Sequence, residues 1–331
     1  MQGSSQPDLY DRMVKYVHDE IGETMRMLLQ FPEGLKQQAL KYSKELESAG
    51  NAVYLSGSKS YGGCDVAFEE ADAIGAEKII HFGHSEFPIP QPIRDKYKHI
   101  AVEYREYFID LDPKLIEKLA KYLKERKLNR PILASTVQHS NQMDKISDTL
   151  RKKSMLPILG KGIRTVYPGQ VLGCDVSSVT SVKDKGDCVV YIGGGKFHYL
   201  ALPPDLGLPI IAVNPYTNDV VDVTSEIKKY YKQRSGLIAK AAEGKTFGIL
   251  VSTRAGQLNL DLAEEIKSRF EGKGKAAEII VSREIDWEAL QDFNMFDAYI
   301  NTACPRLSED WERAGKPIIN VDELKLLFEM F

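Results

Sequence analysis

Residues 61–67 read YGGCDVA and residues 167–177 read YPGQVLGCDVS. Each stretch is followed by a second match, IIHFGHSEF at 79–87 and VVYIGGGKF at 189–197. Ile80 lies 16 residues after Cys64 and Val190 lies 16 residues after Cys174, while Gly83 and Gly193 each lie 19 residues after their cysteine. Shared residues at shared offsets mark two copies of one supersecondary unit, and such a repeat sets the architecture of a chain. A third copy is more diverged. TFGILVSTRAGQ at 246–257 parallels MRMLLQFPEG at 25–34, and FDAYINTACPRLS at 296–308 parallels IIHFGHSEF, with Cys304 in the loop after that strand.

Outward from these stretches, short apolar runs alternate with amphipathic ones. Strands are expected at 24–30, 51–56, 77–82, 98–103, 131–135, 187–192, 209–214, 246–252, 276–281, 297–302 and 317–320. Helices are expected at 34–49, 65–74, 112–127, 142–153, 221–243 and 258–271. This alternation predicts an α/β fold of parallel sheets built from βαβ units. Ligands of such sheets bind beyond the carboxyl ends of the strands. The repeats divide the chain at 1–105, 106–215 and 216–331, with no linker of Pro, Gly and Ser at the seams.

The chain has 331 residues, 43% of them hydrophobic, enough to build several cores. Charged residues make up 27% and nearly balance, for a formal net charge of −3, so the clustered basic excess of a nucleic-acid binder is missing. The opening MQGSSQPDLYDRM has no basic-then-apolar leader. No apolar run approaches the roughly 20 residues that span a bilayer. A cytoplasmic protein without membrane segments is expected. Four cysteines are too few for a disulfide scaffold.

Cys64 and Cys174 each follow a glycine and precede Asp-Val. The glycine lets the backbone approach a bulky group, the aspartate can cap a helix, and a helix start favours the thiolate. Cys304 is held before Pro305, which cannot continue a strand. Cys188, inside DCVVYI, reads as a small core residue. Three distant thiolates are either ordinary loop cysteines, a three-thiolate zinc site with an open position, or ligands of a 4Fe–4S cluster with one iron left open. His81 and His84 end a strand, and the second repeat has Tyr191 and Gly194 there, so structural or substrate-contact roles are expected. His139 reads as a surface loop histidine. Glu33 and Gly34, in FPEG, and Arg254, Gly256 and Gln257, in STRAGQ, follow strands and are candidates to bind an anionic or amino-acid ligand. The run Gly193–Lys196 lacks P-loop spacing, and no Rossmann fingerprint is found.

Taken together, LLQFPEGL (28–35), YGGCDVA, YPGQVLGCDVSSV (167–179), STRAGQ, DAYINTACPRLS (297–308) and KPIINVDEL resemble the 2-(3-amino-3-carboxypropyl)histidine synthase family of archaeal diphthamide synthases. The resemblance implies a homodimer. Each protomer would have three similar α/β domains in a pseudo-threefold arrangement around a 4Fe–4S cluster held by Cys64, Cys174 and Cys304. It implies S-adenosylmethionine as cosubstrate, one-electron cleavage of its sulfur–Cγ bond, and transfer of the 3-amino-3-carboxypropyl group to a histidine carbon of elongation factor 2. The electron donor is not implied.

Two other readings remain at this point. The quinolinate synthase family also joins three cysteines around an open iron, so a cluster-dependent dehydratase or condensing enzyme is one. A non-catalytic redox or ligand-binding protein is the other.

Overall fold

The computed structural model describes residues 24–331, and the reading of MQGSSQPDLYDRM lies outside the described residues. Among them, three four-stranded sheets form. The first contains β1 (Arg26–Gln30), β2 (Ala52–Leu55), β3 (Lys78–Phe82) and β4 (Ala101–Arg105), all parallel, in the order β2-β1-β3-β4. The second contains β5 (Pro131–Ser135), β6 (Cys188–Ile192), β7 (Ile210–Asn214) and β8 (Asp219–Asp222), in that order, with β8 antiparallel to β7. The third contains β9 (Thr246–Ser252), β10 (Ala276–Ser282), β11 (Ala298–Asn301) and β12 (Ile318–Asn320), all parallel, in the order β10-β9-β11-β12. The first and third sheets therefore share one topology. In the second, single parallel bridges from β5 to Ile158 and Gln170 stand where the others carry an edge strand.

This topology explains the sequence repeat. Cys64 follows edge strand β2 and precedes the helix Phe68–Ala73. Cys174 follows the bridge at Gln170 and precedes the helix Ser177–Thr180. Cys304 instead follows β11, the third strand of its sheet, as the third copy predicted.

The chain falls into two compact units. One comprises the described residues up to Tyr61, Val66–Phe82 and Gln91–Arg105, and carries the first sheet. The other comprises Gly62–Asp65, Gly83–Pro90 and Glu106–Phe331, and so contains all three loop cysteines.

Within the second unit, period-two patterning decides the packing. Cys188, Val190 and Ile192 face a core with Leu115, Leu119 and Leu123, while Val189 and Tyr191 face another with Val179, Leu202 and Ile227. A strand covered on both faces reads as an unbroken apolar run. The first of these cores is closed by the helix Pro113–Glu125. Pro113 occupies its first turn, and the Asp112 carboxylate accepts from the Lys114 amide at 2.9 Å. Around the third sheet, Phe247, Ile249 and Val251 pack on Ala263, Ile266 and Phe270, and Leu250 and Tyr299 pack on Trp287 and Leu290. Cys188 is fully buried, as its setting in the sequence implies.

Several boundaries shift. β4 runs two residues beyond the expected strand, and the first helix opens as a 3-10 segment, Glu33–Gln38, before Ala39–Ser48. β8 was not anticipated, and its end falls in the expected helix 221–243, which starts at Thr224. Its four residues, DVVD, are largely exposed at a sheet edge, so they carry no alternating apolar signal. No helix among the described residues is long and apolar enough to cross a membrane.

Candidate functional site

The Cys64 turn is gripped by the loop that follows β9. The Gly256 amide donates to the Cys64 carbonyl at 2.7 Å. A Cβ at position 256 would stand 2.6 Å from the Cys64 Cβ and 2.8 Å from its Cα, so only glycine allows this approach. Gln257 Nε2 donates to Cys64 Sγ at 3.4 Å. Arg254 Nε lies 3.4 Å from the buried Asp65 carboxylate, and its Nη2 lies 3.9 Å from Glu284. Arg254, Gly256 and Gln257 are thus brought to Cys64. A side chain at Gly63 would run into the Ser85 carbonyl.

Cys174 sits in a tight turn closed by reciprocal backbone hydrogen bonds between Leu172 and Asp175, at 2.8 and 3.1 Å. The Asp175 carboxylate accepts from the amides of Ser177, at 2.9 Å, and Arg164, at 2.6 Å. It braces the start of the following helix from one residue before the N-cap, Val176, which itself makes no side-chain cap bond; Asp65 likewise is not the cap of its helix, whose N-cap is Ala67. The Arg164 side chain hydrogen-bonds the Cys174 thiol.

Cys304 caps the 3-10 helix Pro305–Asp310. Its carbonyl accepts from Asn301 Nδ2 at 2.8 Å and from the Leu307 amide at 3.0 Å. Asn301 is held in turn by Asn320, at 2.8 Å. Beneath this loop lies a buried pair that sequence reasoning missed. Arg234 donates to the Glu323 carboxylate at 2.8 and 2.6 Å and to the Ser308 carbonyl at 3.1 Å. Arg234 and Glu323 are 89 residues apart, and nothing local marks them as partners.

The three thiols share one electrostatic environment. Burial pushes the Cys64 thiol up to about 12; the Gln257 hydrogen bond opposes this, and the charges of Cys304 and Cys174 add to it. Burial also raises Cys304, to about 11, against the Arg306 amide and with Cys174 adding. Cys174 is raised by burial and lowered by Arg164. Cys64 and Cys304 are half-buried while Cys174 is exposed, and thiols so placed become thiolates when a positive group lies beside them, the condition for metal ligation. Among the described residues, no three His, Cys, Asp or Glu side chains close tightly enough to hold a single ion. A cavity of about 450 Å³ opens beside Cys174, bordered also by Arg164, Tyr230, Asn301, Glu309 and Asn320.

The other candidates separate. Glu33 and Gly34 are exposed at the start of the 3-10 segment in the first unit. His81 is a core residue whose Nδ1 donates to Gln30 Oε1 at 2.8 Å. His84 is half-buried, and burial, with His198 adding, lowers it to about 4. His139 is fully buried rather than at the surface. It lies in a single helical turn after β5, where its Nδ1 donates to the Ile109 carbonyl at 3.0 Å. Lys196, which ends the glycine run, pairs with Glu226.

Fold and site define a class: an α/β protein of three sheets whose strand-end loops gather three distant thiols. Residues 31–330 match the family of diphthamide synthesis proteins, and the chain belongs to it. It is 32% identical, over 308 residues, to the 2-(3-amino-3-carboxypropyl)histidine synthase of Pyrococcus horikoshii, covering 91% of this chain and 85% of that protein. It is 29% identical to subunit 1 of the Saccharomyces cerevisiae enzyme of that name, covering 92% of this chain and 71% of the yeast chain. The crystal structure of Dph2 from Pyrococcus horikoshii matches with a TM-score of 0.82 at 30% identity, over 98% of this chain and 92% of that one. A second structure of the same protein, with a 4Fe–4S cluster, matches with a TM-score of 0.81.

Proposed function

We propose that this chain transfers the 3-amino-3-carboxypropyl group of S-adenosylmethionine to a histidine carbon of elongation factor 2, the first step of diphthamide synthesis. The observation that carries this reading is the convergence of the three cysteine loops: Gln257 Nε2 lies 3.4 Å from Cys64 Sγ, Asn259 two residues on donates to the Thr302 carbonyl at 2.8 Å, and Cys174 lines one cavity with Asn259, Thr302, Ala303 and Pro305. These residues are the proposed ligands of a 4Fe–4S cluster, one from each of the proposed domains 1–105, 106–215 and 216–331. When bound, such a cluster with an open iron supplies the one-electron chemistry that side chains cannot.

The chain's own residues do the rest. Gly256 and Gly63 allow the Cys64 turn to be held closely, and Gln257 and Arg164 aim N–H donors at two of the sulfurs. The Asn301–Asn320 pair, with Arg234 beneath, fixes the Cys304 loop. Arg254, Gly256 and Gln257 are proposed to wall the S-adenosylmethionine site beside Cys64, and Glu33 and Gly34 are proposed to contribute on sequence grounds alone. A homodimer acting in the cytoplasm completes the proposal.

The test is anaerobic reconstitution with iron and sulfide. Wild type and Cys188→Ala are expected to be brown with close to four irons per chain, and Cys64→Ala, Cys174→Ala and Cys304→Ala to bleach. Bleaching by Cys188→Ala alone, or wild type that loads zinc and no iron, would overturn the ligand assignment.

A further inference from the structure

A nitrogen donor outside its own residue stands beside each of the three thiols. Cys64 Sγ accepts from the Gln257 side chain at 3.4 Å, Cys174 from the Arg164 side chain, and Cys304 from the backbone amide of Arg306. Two of the three are ordinary consequences of local structure. Arg164 lies ten residues before Cys174, and the Arg306 amide belongs to the turn that Cys304 caps. Gln257 is different. It lies 193 residues from Cys64 and reaches it only because Gly256 has no side chain to block the approach. Gln257 is itself buried, with 5% of its surface exposed, although an uncharged amide at a strand end has no fold-level reason to be there. Its neighbours hold it in place: its amide donates to the Arg254 carbonyl at 2.9 Å, and Asn259 Nδ2 donates to its carbonyl at 3.2 Å.

From this geometry we infer that Gln257 is a positioning residue that sets the reduction potential of the metal group ligated through Cys64. The inference rests on the ligand assignment proposed above. An N–H aimed at a ligating sulfur stabilises negative charge there, and charge grows on the sulfurs when the group takes up an electron. The donor therefore favours the reduced state and raises the potential. A glutamine does this without a titrating charge, so the effect does not change with pH.

The experiment is a redox titration of the anaerobically reconstituted full chain, followed by electron paramagnetic resonance, for wild type, Gln257→Met and Gln257→Glu. Methionine keeps the length and removes the donor. Glutamate keeps the shape and places a negative charge beside the sulfur. With equal iron content, the midpoint is expected to fall in the order wild type, Met, Glu. A tenfold loss in the reduced-to-oxidised ratio at fixed potential corresponds to about 59 mV for one electron. Should Gln257→Met fail to load, the inference stands on whether Gln257→Glu lowers the midpoint. A fully loaded variant whose midpoint matches wild type overturns the inference and leaves the function reading intact. A wild-type chain that takes up no iron overturns both.

Discussion

The close approach of Gly256 to Cys64 yields a sharp prediction. In Gly256→Ala, the new methyl would sit 2.6 Å from the Cys64 Cβ, 2.8 Å from its Cα and 2.9 Å from its carbonyl oxygen. Ordinary contact begins near 3.4 Å, so the two backbones must part by close to an ångström. All three neighbouring atoms are main chain or Cβ, and no flexible side-chain end can swing aside. Overpacking of this kind costs about 1–3 kcal/mol. In a chain of this size that is a loss of a few degrees in the melting temperature of the apo-protein. The larger effect is on the site. The move strains the 2.7 Å bond from the Gly256 amide and pulls Gln257 from the sulfur. A misplacement of about 1 Å near reacting groups costs on the order of 100-fold in rate. The assay pairs thermal melts of the apo-chain with iron content and activity after reconstitution. Gly236→Ala, on an exposed helix position where nothing lies within 4 Å, is the control. A variant that melts a few degrees low and loads poorly is expected. Wild-type iron content and activity in Gly256→Ala would refute the reasoning.

Two further predictions concern the same unit. The apo-chain should lose stability as pH rises above the ordinary thiol value near 9, because Cys64 and Cys304 ionise in the folded state only at about 12 and 11. The raised folded values mean this stability is whole below about pH 9 and drains between there and 11–12. Melts across that range should show the decline in the apo-chain and a smaller one in the loaded chain, whose ligands are already thiolates; equal slopes would contradict it. Arg234→Met leaves the half-buried Glu323 carboxylate with only the Asn320 amide and should cost about 2–3 kcal/mol, below the roughly 3–5 kcal/mol of a fully buried orphan. Denaturant unfolding of the apo-chain measures this, and a loss below about 1 kcal/mol would mean that the pair does not hold the Cys304 loop.

Much of the molecule is legible in the sequence because its signals are local. The apolar run of β6 and the spacing of Leu115, Leu119 and Leu123 each announce one element. The offset from Cys64 to Gly83 recurs from Cys174 to Gly193 because both cysteines occupy one place in a repeated topology. The repeat ties Cys64 to Cys174 only; Cys304, on a different strand end, joined them through the family resemblance. What stayed hidden depends on distant pairing. The Arg234–Glu323 pair and the Gln257–Cys64 bond join residues 89 and 193 apart. His139 misled because a polar residue in STVQHS reads as surface, and only the Ile109 carbonyl makes its burial tolerable. β8 was missed because an edge strand of four residues has too few positions to show a period. The contact of Arg254 with the Asp65 carboxylate was hidden because Asp65 lies in a distant part of the chain.

The central claim is tested most directly by intact-mass and fragmentation spectrometry of elongation factor 2. The factor is incubated anaerobically with the reconstituted chain, S-adenosylmethionine and dithionite. The account predicts a gain of one 3-amino-3-carboxypropyl group on a single histidine, matched by release of methylthioadenosine, with neither seen for Cys304→Ala. Unmodified factor in the presence of a fully loaded, reduced wild-type cluster would contradict it.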